Sequence, residues 1–397
     1  MLATFLNFIL YLWVSVYYWN SRKKIDIYFL LISAYAFIAG CCFLYLQSEP
    51  TEYKHLSFLR FIYLWMIVLI SLHPFRGIKT IKLRQKDDET FIVKLFIVLF
   101  IGAGITAAFL SWEKAFLIYV LGEWGELRQE VYADSGAIEL YSSLTEKLAK
   151  NIYSYLSPVG IVWGFYQLTK EKFSNLLTIT VFIIWFVNSM ISAMLIASRG
   201  MLLTTAFEFI ILFVCFQAQI PTSRKKVLWT LTGVAASFML TYILAVTVSR
   251  FGDDEAGNSI FMYLGHSMLA FNDGIMNSMH HFAWGKYAFS WFVDLFGGNS
   301  TIDLTKMGAT HGTAFFTFVG TYYVDWGPFI TPVAAILISL LLSKFTKKNV
   351  YRFSDMMIIA FFATWFLRGV FVYGSGIATI WMMLFLVYFI IRRFEPR

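Results

Sequence analysis

Apolar runs of about 17–21 residues recur along this chain, each long enough for an α-helix rising 1.5 Å per residue to cross ~30 Å of hydrocarbon. Eleven are predicted, at roughly 2–19, 27–47, 57–75, 91–111, 152–169, 176–196, 201–220, 228–248, 328–344, 355–372 and 376–392. Runs of this length are too long for core strands, and lipid tolerates only structures that satisfy their own backbone, so the spans are helices. Composition agrees: 59% of the 397 residues are hydrophobic and 14% charged, against ~25% charged in soluble domains. A soluble enzyme is excluded. The predicted fold class is all-α, a polytopic helical membrane protein forming one integral domain over residues 1–397.

The net charge of +8 does not point to nucleic acid, because the charges sort by loop. Arg22, Lys23 and Lys24 form one basic loop; Arg76, Lys79, Lys82, Arg84 and Lys86 another. Four further groups follow: Lys170 and Lys172; Arg224, Lys225 and Lys226; Lys344, Lys347, Lys348 and Arg352; and Arg392, Arg393 and Arg397. All fall on alternate loops, which the positive-inside rule assigns to the cytoplasm. No basic residue precedes the first run, the reverse of a cleavable secretion signal, so it is read as an anchor. The N-terminus is expected outside and the C-terminus inside.

This topology leaves two sizeable outer segments, about 112–151 and 249–327, and only short inner loops. No Walker A sequence or dinucleotide glycine fingerprint is present, so hydrolysis of a soluble nucleotide has no visible machinery. No internal repeat of the kind many transporters carry is seen. Cys41, Cys42 and Cys215 lie inside apolar runs and read as packing residues, not a disulfide framework or a metal site.

Residues 112–151 read as an acidic amphipathic cap in which Arg128 stands out among carboxylates. Ser198-Arg199-Gly200 sits at the outer junction of two spans. A guanidinium there either snorkels to the headgroups or holds a lipid-linked phosphate. Glu208, nine residues on, lies about half a turn round at ~100° per residue and cannot pair with Arg199 directly; its carboxylate is functional or a structural hydrogen-bond partner. Arg250 places a second guanidinium at the same depth, ahead of Asp253, Asp254 and Glu255, which are solvated acids or a divalent-cation site.

From Ser259 to Tyr287 the pattern is helical. His266, Asp273, Asn277 and His280 or His281 share one face. Phe261, Leu264, Met268, Phe271, Ile275, Met279 and Phe282 occupy the other, which suits a helix lying at the interface with its apolar side in lipid or against the spans. A His and an Asp on one stripe supply a general base or simply meet water. Thr310-His311-Gly312-Thr313 then leads through Gly320 to Tyr323-Val324-Asp325-Trp326-Gly327 and the next span; small polar residues at that depth suggest a cavity. Arg368 lies near the outer end of the tenth span, as an interhelical ion-pair partner or a third guanidinium.

With eleven spans, an Arg at the outer start of a helix, a late outer loop and a Tyr-x-Asp-aromatic-Gly passage into the next span, the chain resembles the Wzy-type oligosaccharide repeat-unit polymerases. These are membrane glycosyltransferases of the GT-C kind. His311, Gly320 and Tyr323 further look like a shortened form of the His, Gly and Tyr pattern of the related O-antigen ligases, two residues short in its first spacing. The resemblance implies a bacterial inner-membrane enzyme that moves a growing glycan from undecaprenyl diphosphate to a hydroxyl of an incoming lipid-linked repeat unit.

The donor is already activated, so the resemblance implies no cofactor and no metal. It implies that Arg199, Arg250 and Arg368 neutralise the leaving diphosphate. The base is His311, Asp273 or His266, with His311 ranked first, and Tyr323 and Asp325 position sugar hydroxyls or close the cavity. Partners would be the lipid-linked glycan donor and acceptor and the bilayer, with a chain-length regulator as a further one; no nucleic acid is expected. A flippase for lipid-linked sugars and an O-antigen ligase are the competing readings.

Overall fold

The computed structural model describes the chain apart from residues 50–51, 79–80, 85–86, 122–142, 173, 197, 252–255, 300–301, 311–315, 372–376 and 397. Among the described residues it is all-α. The helices are α1 (Leu2–Arg22), α2 (Ile27–Ser48), α3 (Phe58–Leu72), α4 (Phe91–Leu121), α5 (Leu144–Leu168), α6 (Asn175–Leu195), α7 (Arg199–Phe216) and α8 (Thr222–Phe251). Then come α9 (Ala256–Leu269), a π-helical turn (Ala270–Ile275), α10 (Ser290–Leu295), α11 (Phe318–Thr346), α12 (Phe353–Arg368) and α13 (Ile377–Phe394). Short 3₁₀ turns occupy His73–Gly77 and Asp87–Glu89.

Every predicted span coincides with a helix, and nine among the described residues are long and apolar enough to cross a membrane. The two predicted spans outside that set are α5, whose first turns carry Glu146, Lys147 and Lys150, and α12, which has 16 residues. The faces of α12 are nearly all buried: Met356, Met357, Ile358, Ile359 and Phe362 are inaccessible, as expected of a helix apolar all round. Local chemistry sets the helix ends. The Asp26 carboxylate accepts from Phe29 N–H at 2.9 Å to cap α2, and Ser143 Oγ accepts from Glu146 N–H at 3.1 Å to cap α5.

The chain divides into two compact units. The first comprises Met1–Thr80, Gly257–Asn349 and Phe362–Phe385. Within it α1 packs on α2 and α3, and α3 on α11. Helix α9 approaches α2 closely: a Cβ on Gly265 would lie 2.8 Å from the Cys42 backbone, and Cys42 Sγ donates to Gly265 O at 2.7 Å. Only glycine permits this contact.

The long interfacial helix predicted from Ser259 to Tyr287 is therefore corrected. Regular α-helix stops at Leu269, and Met268, Phe271 and Ile275 are buried together with Asn272 and Asp273. An apolar face fits protein as well as lipid, and Asn272-Asp273-Gly274 favours a turn.

Helix α11 starts ten residues ahead of the predicted span and is broken at Gly327, whose φ of 67° lies in the left-handed region. Pro328 follows, and a Cβ at Gly327 would meet the Phe282 ring at 2.9 Å. Both conformation and space require glycine there.

The second unit comprises Ile81–Ala256, Val350–Phe361 and Leu386–Arg397. Helix α4 packs on α5 and α6, α6 on α7, and α7 on α8. Polar side chains bridge these helices. Ser111 Oγ donates to Glu146 Oε1 at 2.6 Å, Asn188 Nδ2 to Gly104 O at 3.0 Å, and Trp185 Nε1 to Glu208 Oε2 at 3.2 Å. The intramembrane Glu208 carboxylate thus has an indole partner on the neighbouring helix.

Candidate functional site

In the first unit, the segment between α2 and α3 folds over the end of α9 and the π turn. The contact is a reciprocal amide pair: Ser57 N–H donates to Asn272 Oδ1 at 3.0 Å, and Asn272 Nδ2 donates to Ser57 O at 2.8 Å. A π turn holds one residue more than an α turn and leaves its carbonyls less regularly paired, so side chains and neighbouring segments supply partners. Ser278 Oγ donates to Asp273 O at 2.8 Å, and Thr310 N–H donates to Gly274 O at 3.0 Å.

This docking gathers three of the predicted stripe residues, His266, Asp273 and Asn277. The Tyr53 hydroxyl is hydrogen-bonded to His266 Nδ1, with the rings edge to face at 5.7 Å. Burial, reinforced by the nearby Glu52 carboxylate, pushes the Tyr53 phenol up, so it stays protonated. With the phenol as donor, a neutral His266 carries its proton on Nε2. Asp273 is buried. Its Oδ1 accepts from Asn277 Nδ2 at 3.2 Å and its Oδ2 from His55 N–H at 3.4 Å.

Beside Asp273 stands Arg60, in the first turn of α3. Nη1 donates to His55 O at 2.6 Å and to Asn272 O at 3.3 Å, and Nη2 donates to Asn277 Oδ1. Neutral carbonyl partners hold the guanidinium in place without cancelling its charge, which keeps it available to an anion. Tyr323 closes the apolar side. It is buried among the rings of Tyr63, Phe271 and Phe282 at 6.3, 5.9 and 5.8 Å.

Tyr53, His55, Arg60 and Asn272 escape the sequence reading. Arg60 carries a signal that would have found it: it begins an apolar run at the end assigned to the outside, the same pattern that singled out Arg199.

Asp325 is fully buried, and its two carboxylate oxygens accept from Tyr287 N–H at 2.9 Å and Ala288 N–H at 2.8 Å. The carboxylate thus ties the Tyr287–Ala288 turn to α11. Burial, then the same carboxylate, push the Tyr287 phenol up to about 12.

Arg199 begins α7 in the second unit. It is 6% exposed, so it does not snorkel, and Nη1 donates to Thr247 Oγ1 of α8 at 2.8 Å. Arg368 is an exposed residue at the end of α12 in the first unit. Arg128, His311 and the Asp253–Glu255 triplet lie outside the described residues, as does the side chain of Arg250. The predicted convergence of Arg199 with Arg250 rests on that side chain.

Compared with known protein families, curated proteins and solved structures, the chain gives no match.

Proposed function

We propose that this protein is a membrane glycosyltransferase of the repeat-unit polymerase type, acting in the bacterial inner membrane on undecaprenyl-diphosphate-linked oligosaccharides. The observation that carries the reading is the cluster of Arg60, Asp273, Asn277 and His266 at the membrane end that the loop charges assign to the outside. It offers a guanidinium linked through Asn277 to a buried carboxylate, and an imidazole held by Tyr53 of the same docked segment.

In this reading the acceptor hydroxyl oxygen attacks the anomeric carbon of the growing glycan's reducing-end sugar. The bond from that carbon to the phosphate oxygen breaks, and undecaprenyl diphosphate leaves with the electron pair. Arg60 stabilises the charge developing on the diphosphate, an effect worth about 2.7–4 kcal/mol for a well-placed donor. Asp273 or His266 takes the acceptor proton, with His311 a further candidate. Arg199, Arg250 and Arg368 remain proposed contacts to the pyrophosphate, and the acidic segment carrying Arg128 a cap over the acceptor. Aromatic side chains around Tyr323 shape the floor.

The test is incubation of purified protein with a lipid-linked repeat unit, without nucleotide and with chelator. A ladder of lengthening lipid-linked products supports polymerisation. Transfer of one unit to a different acceptor assigns a ligase. No transfer, combined with movement of the intact lipid-linked unit across vesicles, assigns a flippase.

A further inference from the structure

The second unit holds a cavity of about 420 Å³ that the glycosyltransferase reading does not use. It lies where α5 ends and α6 begins, on the side the basic loops assign to the cytoplasm. Buried Trp163 and Gln167 form its floor, and exposed Lys94, Lys172, Glu89 and Ser174 its rim. Lys170 Nζ binds Glu89 Oε1 at 2.8 Å, which neutralises the rim's acid. Among the described residues neither Lys94 nor Lys172 has a carboxylate partner, so both ammonium groups of the rim are open to an anion. The positive end of the 21-residue helix α6 adds to this field, because Ser174 at its N-cap makes no side-chain capping bond.

The rim is also held in place. Arg224 Nη1 donates to Leu168 O at 2.8 Å and to Lys170 O, and Nη2 donates to Glu171 O at 3.0 Å. The turn that presents Lys172 is thereby pinned to the end of α5. Outside the cavity the helix flanks are apolar and exposed: Phe91 is 78% and Leu176 79% accessible.

We infer that this cavity binds the phosphate-bearing headgroup of an anionic phospholipid, with the phosphate between Lys94 and Lys172 and the acyl chains along Phe91 and Leu176. The apolar flank is what favours a lipid over a soluble phosphate, since a soluble ion would gain nothing from it. Trp163 in the floor suits such a site, since aromatic side chains are enriched at the headgroup level of membranes.

The experiment uses the full chain in phosphatidylcholine nanodiscs doped with phosphatidylglycerol, and native mass spectrometry counts the lipids retained after extraction. Wild type is expected to retain phosphatidylglycerol preferentially. The Lys94→Gln/Lys172→Gln variant is expected to lose that preference by roughly tenfold to thirtyfold, the effect of two basic residues near an anionic surface. Lys225→Gln/Lys226→Gln, which removes the same charge from a different loop, keeps it. Lys172→Glu alone repeats the readout with a single change.

Equal loss in both double variants, or no preference in wild type, overturns the site. Displacement of the lipid by millimolar inorganic phosphate or glycerol 3-phosphate assigns a soluble phosphate ligand and overturns the lipid. None of these outcomes depends on glycosyl transfer.

Discussion

Arg60 and Asn277 are hydrogen-bonded to each other, Nη2 to Oδ1, across 217 residues of chain. Asn277 passes the contact to Asp273 through its amide nitrogen, so one asparagine links the guanidinium to the buried carboxylate. If Arg60 stabilises a leaving diphosphate, Arg60→Ala should lower the transfer rate by about a hundredfold to a thousandfold. Arg60→Lys should recover little, because an ammonium cannot hold His55 O and Asn277 Oδ1 in a planar fork. Product ladders from purified variants check this; undiminished ladders from Arg60→Ala would remove Arg60 from the reaction.

Asp273 and His266 divide differently under mutation. Replacing a general base lowers its reaction by about two to four orders of magnitude. Asp273→Asn or His266→Gln should show that loss, whichever residue takes the proton. Tyr53→Phe removes the bond to His266 Nδ1 and should shift the pH profile of transfer only if His266 titrates in the reaction. An unchanged profile together with an inactive Asp273→Asn would assign the base to Asp273.

Thr247 and Arg199 form a polar contact between α7 and α8. Thr247→Val keeps the shape and removes the acceptor, which should cost about 1–3 kcal/mol of stability. Thermal unfolding in detergent measures it. Arg199→Lys separates packing from function: retained stability with lost transfer would support a contact to the diphosphate, while parallel losses would mark the residue as structural.

Gly327 cannot take a side chain without strain. Gly327→Ala adds a Cβ at a left-handed φ and against the Phe282 ring, and should destabilise by about 1–3 kcal/mol. Adding Phe282→Ala relieves the steric part but not the backbone part, so only partial recovery of the unfolding temperature is expected.

Asp87 gives a pH signature. It is fully buried, its oxygens have no hydrogen-bond partner among the described residues, and Arg84 Nε stands 3.7 Å away. Burial, then the Glu395 carboxylate, push it up to about 6, against the pull of Arg84, Arg352 and Arg392. The folded state therefore binds a proton that the unfolded state releases near 3.8. Its contribution is favourable below about pH 4, is lost as pH rises to about 6, and stays lost above. Asp87→Asn should be more stable than wild type at pH 7, with the difference shrinking as pH falls to 4.5.

The helices were legible because an apolar run of ~20 residues has one solution in lipid, and each of the eleven runs is helical. Boundaries were less so: α11 begins at Phe318 because Thr317, Thr321 and Asp325 are buried by neighbours that the local sequence does not reveal. The same limit governed the site. His266, Asp273 and Asn277 stand out on one stripe, but Tyr53, His55 and Arg60 respectively meet them across 213 to 218 residues, a pairing no local pattern encodes. The sequence leaves the stripe's apolar side to lipid or to the spans because a leucine-rich neighbour and an acyl chain are equally apolar.

The π turn at Ala270–Ile275 has a geometric consequence. One surplus residue in that coil sets the angular phase between His266 upstream and Asn277 downstream. Deleting any single position there would restore ordinary winding and swing the imidazole by about 100° relative to the guanidinium's anchor. The alignment of these groups is thus set by a count of residues as much as by their identity.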